Sequence, residues 1–139
     1  MPCAAALTAA PEQINKSLDT PVAMRDGVRL SANIFRPEAP GRYPTILVRT
    51  PYNKGRDIAP HYAAFVEHGY VVVVQDVRGR YASEGVFRPL EQEPADGDDT
   101  LNWIARQSWS DGKVGMLGGS YLGIVQWKVA ALNNPHLKA

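Results

Sequence analysis

Between the apolar run Lys113-Val114-Gly115-Met116-Leu117 and a second apolar stretch at 124–132 stands Gly118-Gly119-Ser120-Tyr121-Leu122-Gly123. A strand, a sharp turn bearing a serine and a helix fit this pattern, because small residues let strand and helix pass closely on either side of a strained tip. Bulk beside the tip would push the two elements apart. The match to Gly-x-Ser-x-Gly is imperfect: Gly118 holds the first position, but Leu122 stands where the last glycine is expected and the glycine follows at Gly123. Taken alone, the segment also fits a glycine-rich turn whose amide groups bind an anion. Both nucleotide-binding patterns fail in detail, since no Gly-Lys-Ser/Thr follows and no Gly-x-Gly-x-x-Gly can be laid over residues 115–123. A serine nucleophile is the leading reading.

The remaining chain alternates extended and helical patterns. Residues 20–36 hold two extended runs around Asp26-Gly27, a dipeptide suited to a two-residue type I′ turn because both positions tolerate positive φ. An opening hairpin is therefore expected, followed by a Pro- and Gly-rich loop at 37–44. The apolar runs at 45–49 and 70–75 lack polar alternation, as interior parallel strands do. Residues 57–68 suit a helix that tolerates Pro60 in its first turn, buries Tyr62, Phe65 and Val66, and ends at Gly69. A second helix is expected over 96–107, a strand over 114–117 and a last helix over 122–132. Strands separated by helices require parallel pairing, hence an open, mostly parallel α/β sheet with ligands at the carboxyl ends of its strands. Residues 1–19 read as an irregular segment ahead of a domain at 20–139.

Several short motifs precede the serine turn in a fixed order: Arg49-Thr50-Pro51-Tyr52-Asn53-Lys54, then Gln75-Asp76-Val77-Arg78-Gly79-Arg80 with Ser83-Glu84-Gly85, then Trp103-Ile104 and Gln107-Ser108-Trp109-Ser110-Asp111-Gly112. Over residues 25–134 the chain resembles the cocaine-esterase and X-Pro dipeptidyl-peptidase family of α/β-hydrolases, whose own form of the turn is Ser-Tyr-x-Gly. The resemblance implies the N-terminal half of an α/β-hydrolase fold, cut after the helix that follows the serine, and an esterase, acylase or dipeptidyl-peptidase. It implies Ser120 as nucleophile and the hydroxyl of Tyr52 as an oxyanion donor. Without the resemblance, Tyr52 reads as a tyrosine packed under a loop. The backbone N–H of Tyr121, next to the serine at a helix start, suits the other oxyanion donor on general grounds.

Other chemistries are poorly supported. Asp96, Asp98 and Asp99 lack the glutamate that would close a calcium loop and fit helix capping and the helix dipole instead. Asp76, Arg78, Arg80 and Glu84 fit an ion-pair network ordering the loop beside the site. Ser83 has no strand-turn-helix setting. No metal or organic cofactor is implied. A formal charge of +1 gives no reason to expect nucleic acid or an anionic membrane as partner, and the substrate is expected to be a small ester, amide or peptide. Cys3 alone makes no intrachain disulfide, and the alanine-rich residues 1–10 lack the basic residue that opens a secretory signal.

A serine nucleophile needs a histidine oriented by a carboxylate, and in this fold both follow the serine in the chain. Nineteen residues follow Ser120. His61 and His68 belong to the first helix, and His136 lies beyond the last, so all three read as surface histidines. The chain is therefore expected to be an N-terminal fragment, with a non-catalytic binding module as the alternative from another class.

Overall fold

The computed structural model describes residues 13–139. Cys3 and the stretch 1–10 lie outside them. Five strands and three helices follow in the order β1 (Ile14–Ala23), β2 (Arg29–Pro37), β3 (Tyr43–Thr50), α1 (Pro60–Glu67), β4 (Val71–Asp76), α2 (Glu93–Ala105), β5 (Ser110–Met116) and α3 (Tyr121–Ala130). They form one sheet in the order β1-β2-β4-β3-β5. β1 and β2 pair antiparallel, as do β2 and β4, while β3 runs parallel to both β4 and β5.

The valine run explains the layering. Successive side chains of a strand point to opposite faces, and β4 is buried along its whole length. Val71 and Val73 join the cluster of Leu30, Leu47, Leu101 and Val125 under α2 and α3. Val72 and Val74 join Phe35, Val48 and Val66 under α1. A β-branched run with no polar alternation is what a strand covered on both faces requires. Each fully buried valine contributes on the order of 1.5–3 kcal/mol of transfer free energy, so the two faces are held by the same six residues of chain.

Several expectations are corrected. β1 starts at Ile14, so residues 14–19 are strand rather than irregular; Leu18 and Ile14 pack against the α1-side cluster, which draws the segment onto the sheet. The hairpin does not turn on two residues. Met24 and Val28 close it, with the Gly27 N–H donating to the Met24 carbonyl at 2.9 Å and Gly27 alone at positive φ, the arrangement of a three-residue loop ending on a left-handed glycine. α2 begins three residues before Asp96, so Asp96, Asp98 and Asp99 lie within it and none caps it. They bind arginines instead. Beyond α3 the chain returns to the sheet: Val114 pairs in parallel with Leu137, the Val114 N–H donates to the His136 carbonyl at 2.9 Å, and the Lys138 N–H donates to the Val114 carbonyl at 2.8 Å.

Candidate active site

The turn between β5 and α3 carries the most strained serine geometry in the fold. Ser120 sits at φ 58° and ψ −128° and is exposed. A non-glycine residue held in such a region costs on the order of 1–3 kcal/mol and persists only where its surroundings fix it. Three contacts do so. Gly118, at φ 136°, leaves room that Leu122 fills, since a Cβ there would meet the Leu122 Cβ at 2.5 Å. The Gln126 side-chain amide donates to the Gly118 carbonyl at 2.9 Å. The Tyr121 hydroxyl donates to Glu93 Oε1 at 3.0 Å and accepts the Leu90 N–H at 3.1 Å. Leu122, the misfit in the Gly-x-Ser-x-Gly pattern, is thus the side chain that occupies the space Gly118 vacates.

Tyr121 is the first residue of α3, so its N–H has no acceptor within the helix and is available at the tip. Burial pushes the Tyr121 phenol up to about 12; the Leu90 N–H pulls against it, and the Glu93 carboxylate adds to the rise. The phenol remains a protonated donor.

Tyr52 lies just past the carboxyl end of β3, the strand beside β5, with Leu47 opposite Met116, so both segments leave the same end of neighbouring strands. Tyr52 is 60% exposed, and the packed-tyrosine alternative does not describe it. The loop that holds it is pinned at three residues, Pro51, Tyr52 and Lys54. The Tyr52 N–H donates to Thr50 Oγ1 at 3.0 Å, Arg80 Nε donates to the Pro51 carbonyl at 3.1 Å, and the Lys54 N–H donates to Asp76 Oδ1 at 2.7 Å. Asp76 is fully buried at the end of β4, with Lys54 Nζ 3.6 Å from its other oxygen. A cavity of about 180 Å³ opens beside this loop, lined by Val48, Thr50, Asn53, Tyr62, Val74 and Leu122.

The polar cluster after β4 is a brace. Arg78 binds Asp96 at 2.7 Å and Asp26 at 2.8 Å, joining the β4 loop to α2 and to the hairpin tip. Glu84 holds Arg29 at 2.7 Å. Ser83 is buried, donating to the Asp76 carbonyl at 2.6 Å and accepting the Ser31 N–H at 2.9 Å, which leaves its oxygen no role as a nucleophile. Among the described residues, no hydrogen bond joins Ser120 to a histidine. His61 lies against Tyr62 on α1, His68 Nδ1 lies 2.7 Å from the Ala64 carbonyl, and His136 Nδ1 lies 3.0 Å from the Gly112 carbonyl, at the end of β5 away from the serine. No group of three or more His, Cys, Asp or Glu side chains among the described residues is arranged to hold a metal ion.

The residues that sequence reasoning missed lie behind the turn. Arg49 is fully buried and bonded to Gln75 Oε1 at 2.8 Å, and its guanidinium forms an ion pair with the buried carboxylate of Glu93. A signal was present: an arginine in an apolar strand and a glutamine closing the valine run must find partners when both faces are covered. The two stand opposite each other in the β3–β4 register.

A sequence profile of the X-Pro dipeptidyl-peptidase (S15) family matches residues 26–139. The chain is 50% identical over 123 residues to the cocaine esterase of Rhodococcus sp. (strain MB1 Bresler), an alignment covering 85% of this chain and 21% of that protein. A CocE/NonD family hydrolase from Staphylococcus aureus superimposes with a TM-score of 0.83 at 36% identity, covering 90% of this chain and 26% of that one. An aminopeptidase from a marine sediment Thaumarchaeota archaeon superimposes with a TM-score of 0.79 at 29% identity, covering 93% and 25%. The chain therefore spans about a fifth to a quarter of the length of these relatives. By profile, sequence and fold, it belongs to the X-Pro dipeptidyl-peptidase (S15) family of α/β-hydrolases.

Proposed function

We propose that residues 14–139 form the first part of a serine hydrolase domain that cleaves acyl esters or amides through a covalent acyl-enzyme, the esterase or acylase reading being favoured over the dipeptidyl-peptidase one. The observation that carries this is the backbone of Ser120, strained and exposed between β5 and α3. Ser120 Oγ attacks the acyl carbon, and the Tyr121 N–H and Tyr52 hydroxyl stabilise the oxyanion that develops. A base accepts the serine proton and returns it to the leaving group. No hydrogen bond joins a histidine of the described residues to Ser120, and on this reading the base and the carboxylate that orients it belong to the part of the fold that the relatives have and this chain does not span. The 50% identity to a cocaine esterase supports the ester reading, and the aminopeptidase likeness keeps X-Pro dipeptidyl-peptidase activity as the alternative. The substrate is a small ester, amide or peptide, and the mechanism calls on no cofactor.

The test is covalent. A fluorophosphonate probe should label the full-length protein, and Ser120→Ala should abolish labelling while leaving the fold intact, because one hydroxyl is removed. Labelling that survives in the alanine variant would remove Ser120 from the mechanism, and a parent protein that takes no label would leave a non-catalytic α/β module as the better description.

A further inference from the structure

The strained turn is tied to the protein interior by one chain of hydrogen bonds. It runs from the Tyr121 phenol to Glu93 Oε1, from the other Glu93 oxygen to the Arg49 guanidinium, and from Arg49 Nε to Gln75 Oε1, which also accepts the Thr100 hydroxyl at 3.1 Å. Both ends bear on the oxyanion donors. Tyr121 supplies one through its own N–H, and Arg49 lies three residues before Tyr52 on the strand that carries the other. Glu93 is the first residue of α2, so the start of that helix is seated against both strand ends.

The pair is a poor stabiliser. Arg49 Nη2 and Gln75 Nε2 are buried without a partner among the described residues, and a buried ion pair with unmade bonds seldom repays its desolvation. Its geometric effect is definite. The Tyr121 phenol is fixed by one donor and one acceptor, the donor coming from Leu90, itself held at φ 66°. Fixing the side chain of Tyr121 restrains the peptide between Ser120 and Tyr121, whose N–H has no acceptor within the helix and is the oxyanion donor of the serine hydrolase reading. We propose that Glu93, clamped by Arg49, is a positioning residue for the oxyanion hole, acting through the Tyr121 phenol on the backbone N–H of Tyr121. The inference rests on the serine hydrolase reading above.

Tyr121→Phe is the sharpest probe because it leaves the ion pair intact, and Glu93→Gln is the second. Both are made in the full-length protein and assayed with an activated ester and its thionoester, whose developing sulfur anion is larger and accepts hydrogen bonds weakly. With the N–H misaimed, kcat should fall about tenfold, less than for a whole lost donor, with KM unchanged. The preference for ester over thionoester should shrink, which general loosening of the fold would not produce. The double variant should lose no more than the worse single one, since both act through one hydrogen bond. Parental kcat in Tyr121→Phe, or a loss that leaves the ester preference as it was, overturns the proposal even where Glu93→Gln fails to fold. Turnover persisting in Ser120→Ala overturns the hydrolase reading and this inference together, whereas an inactive Ser120→Ala beside a fully active Tyr121→Phe overturns this inference alone.

Discussion

Ser120 is held at φ 58° by neighbours chosen for shape, and the closest of these is the absence of a side chain at Gly118. Adding one methyl there meets Leu122 head-on and sets alanine at a φ of 136°, where side chains are rarely found. Gly118→Ala should therefore lower stability by about 1–3 kcal/mol from overpacking alone and slow fluorophosphonate labelling. In the Gly118→Ala/Leu122→Ala double variant part of that loss should return, because the clash is shared; thermal melts of the four proteins measure the coupling. At Tyr52, loss of the hydroxyl in Tyr52→Phe should reduce turnover roughly 10²- to 10³-fold, the scale of one missing oxyanion donor, with KM little changed. A parental turnover number would make the hydroxyl structural.

Among the elements, α2 shows how tertiary contacts set a boundary. Its acidic residues look like a cap in isolation, yet the helix opens at Glu93 with Pro94 in its first turn, and Asp98 and Asp99 grip Arg25 at the hairpin tip at 3.0 and 2.8 Å. Burial opposes ionisation of Asp99, but hydrogen bonds from the Arg25 side chain and N–H outweigh it and hold the carboxyl below the ordinary aspartate value of 3.8. The Arg78 guanidinium does the same for Asp26. A carboxyl whose folded value is depressed binds fewer protons folded than unfolded, so its contribution is complete above the ordinary value and is lost as pH falls through the folded one. Acidification below pH 3.8 should therefore release the hairpin tip from α2. The Arg25 amide, bonded to Asp99 Oδ2 at 2.8 Å, reports it. Its hydrogen-exchange protection, corrected for intrinsic rate, should fall there while that of the β4 amides holds; simultaneous loss in both would show global unfolding instead.

On the scale of the whole molecule, β5 is an edge of the five-stranded sheet, met on its outer side by residues 136–139 through a single bridge and three backbone hydrogen bonds. Beside it α3 exposes Trp127 at 81%, with Ile124 and Leu132 also open to solvent. Apolar groups clustered next to a strand edge favour association. Expressed alone, the 139-residue chain should self-associate in light scattering and show negligible ester turnover above a Ser120→Ala control. A stable monomer with Ser120-dependent multiple turnovers would force one of His61, His68 or His136 into the role of base.

Local pattern was enough for the elements and for placing Ser120 on a strand-to-helix turn. The unbroken valines of β4, Pro60 opening α1, and glycines packed around Ser120 are statements about neighbours in the chain, where backbone sterics and strand period act directly. The order β1-β2-β4-β3-β5 and the start of α2 depended on pairings across the sheet. So did the burial of Arg49 against Glu93, forty-four residues apart, because a buried charge takes its meaning from whichever partner the fold delivers. Gly118 and Leu122 show both halves at one site: sequence marked the missing glycine as a departure, and packing in three dimensions made Leu122 the residue that fills the space beside Ser120.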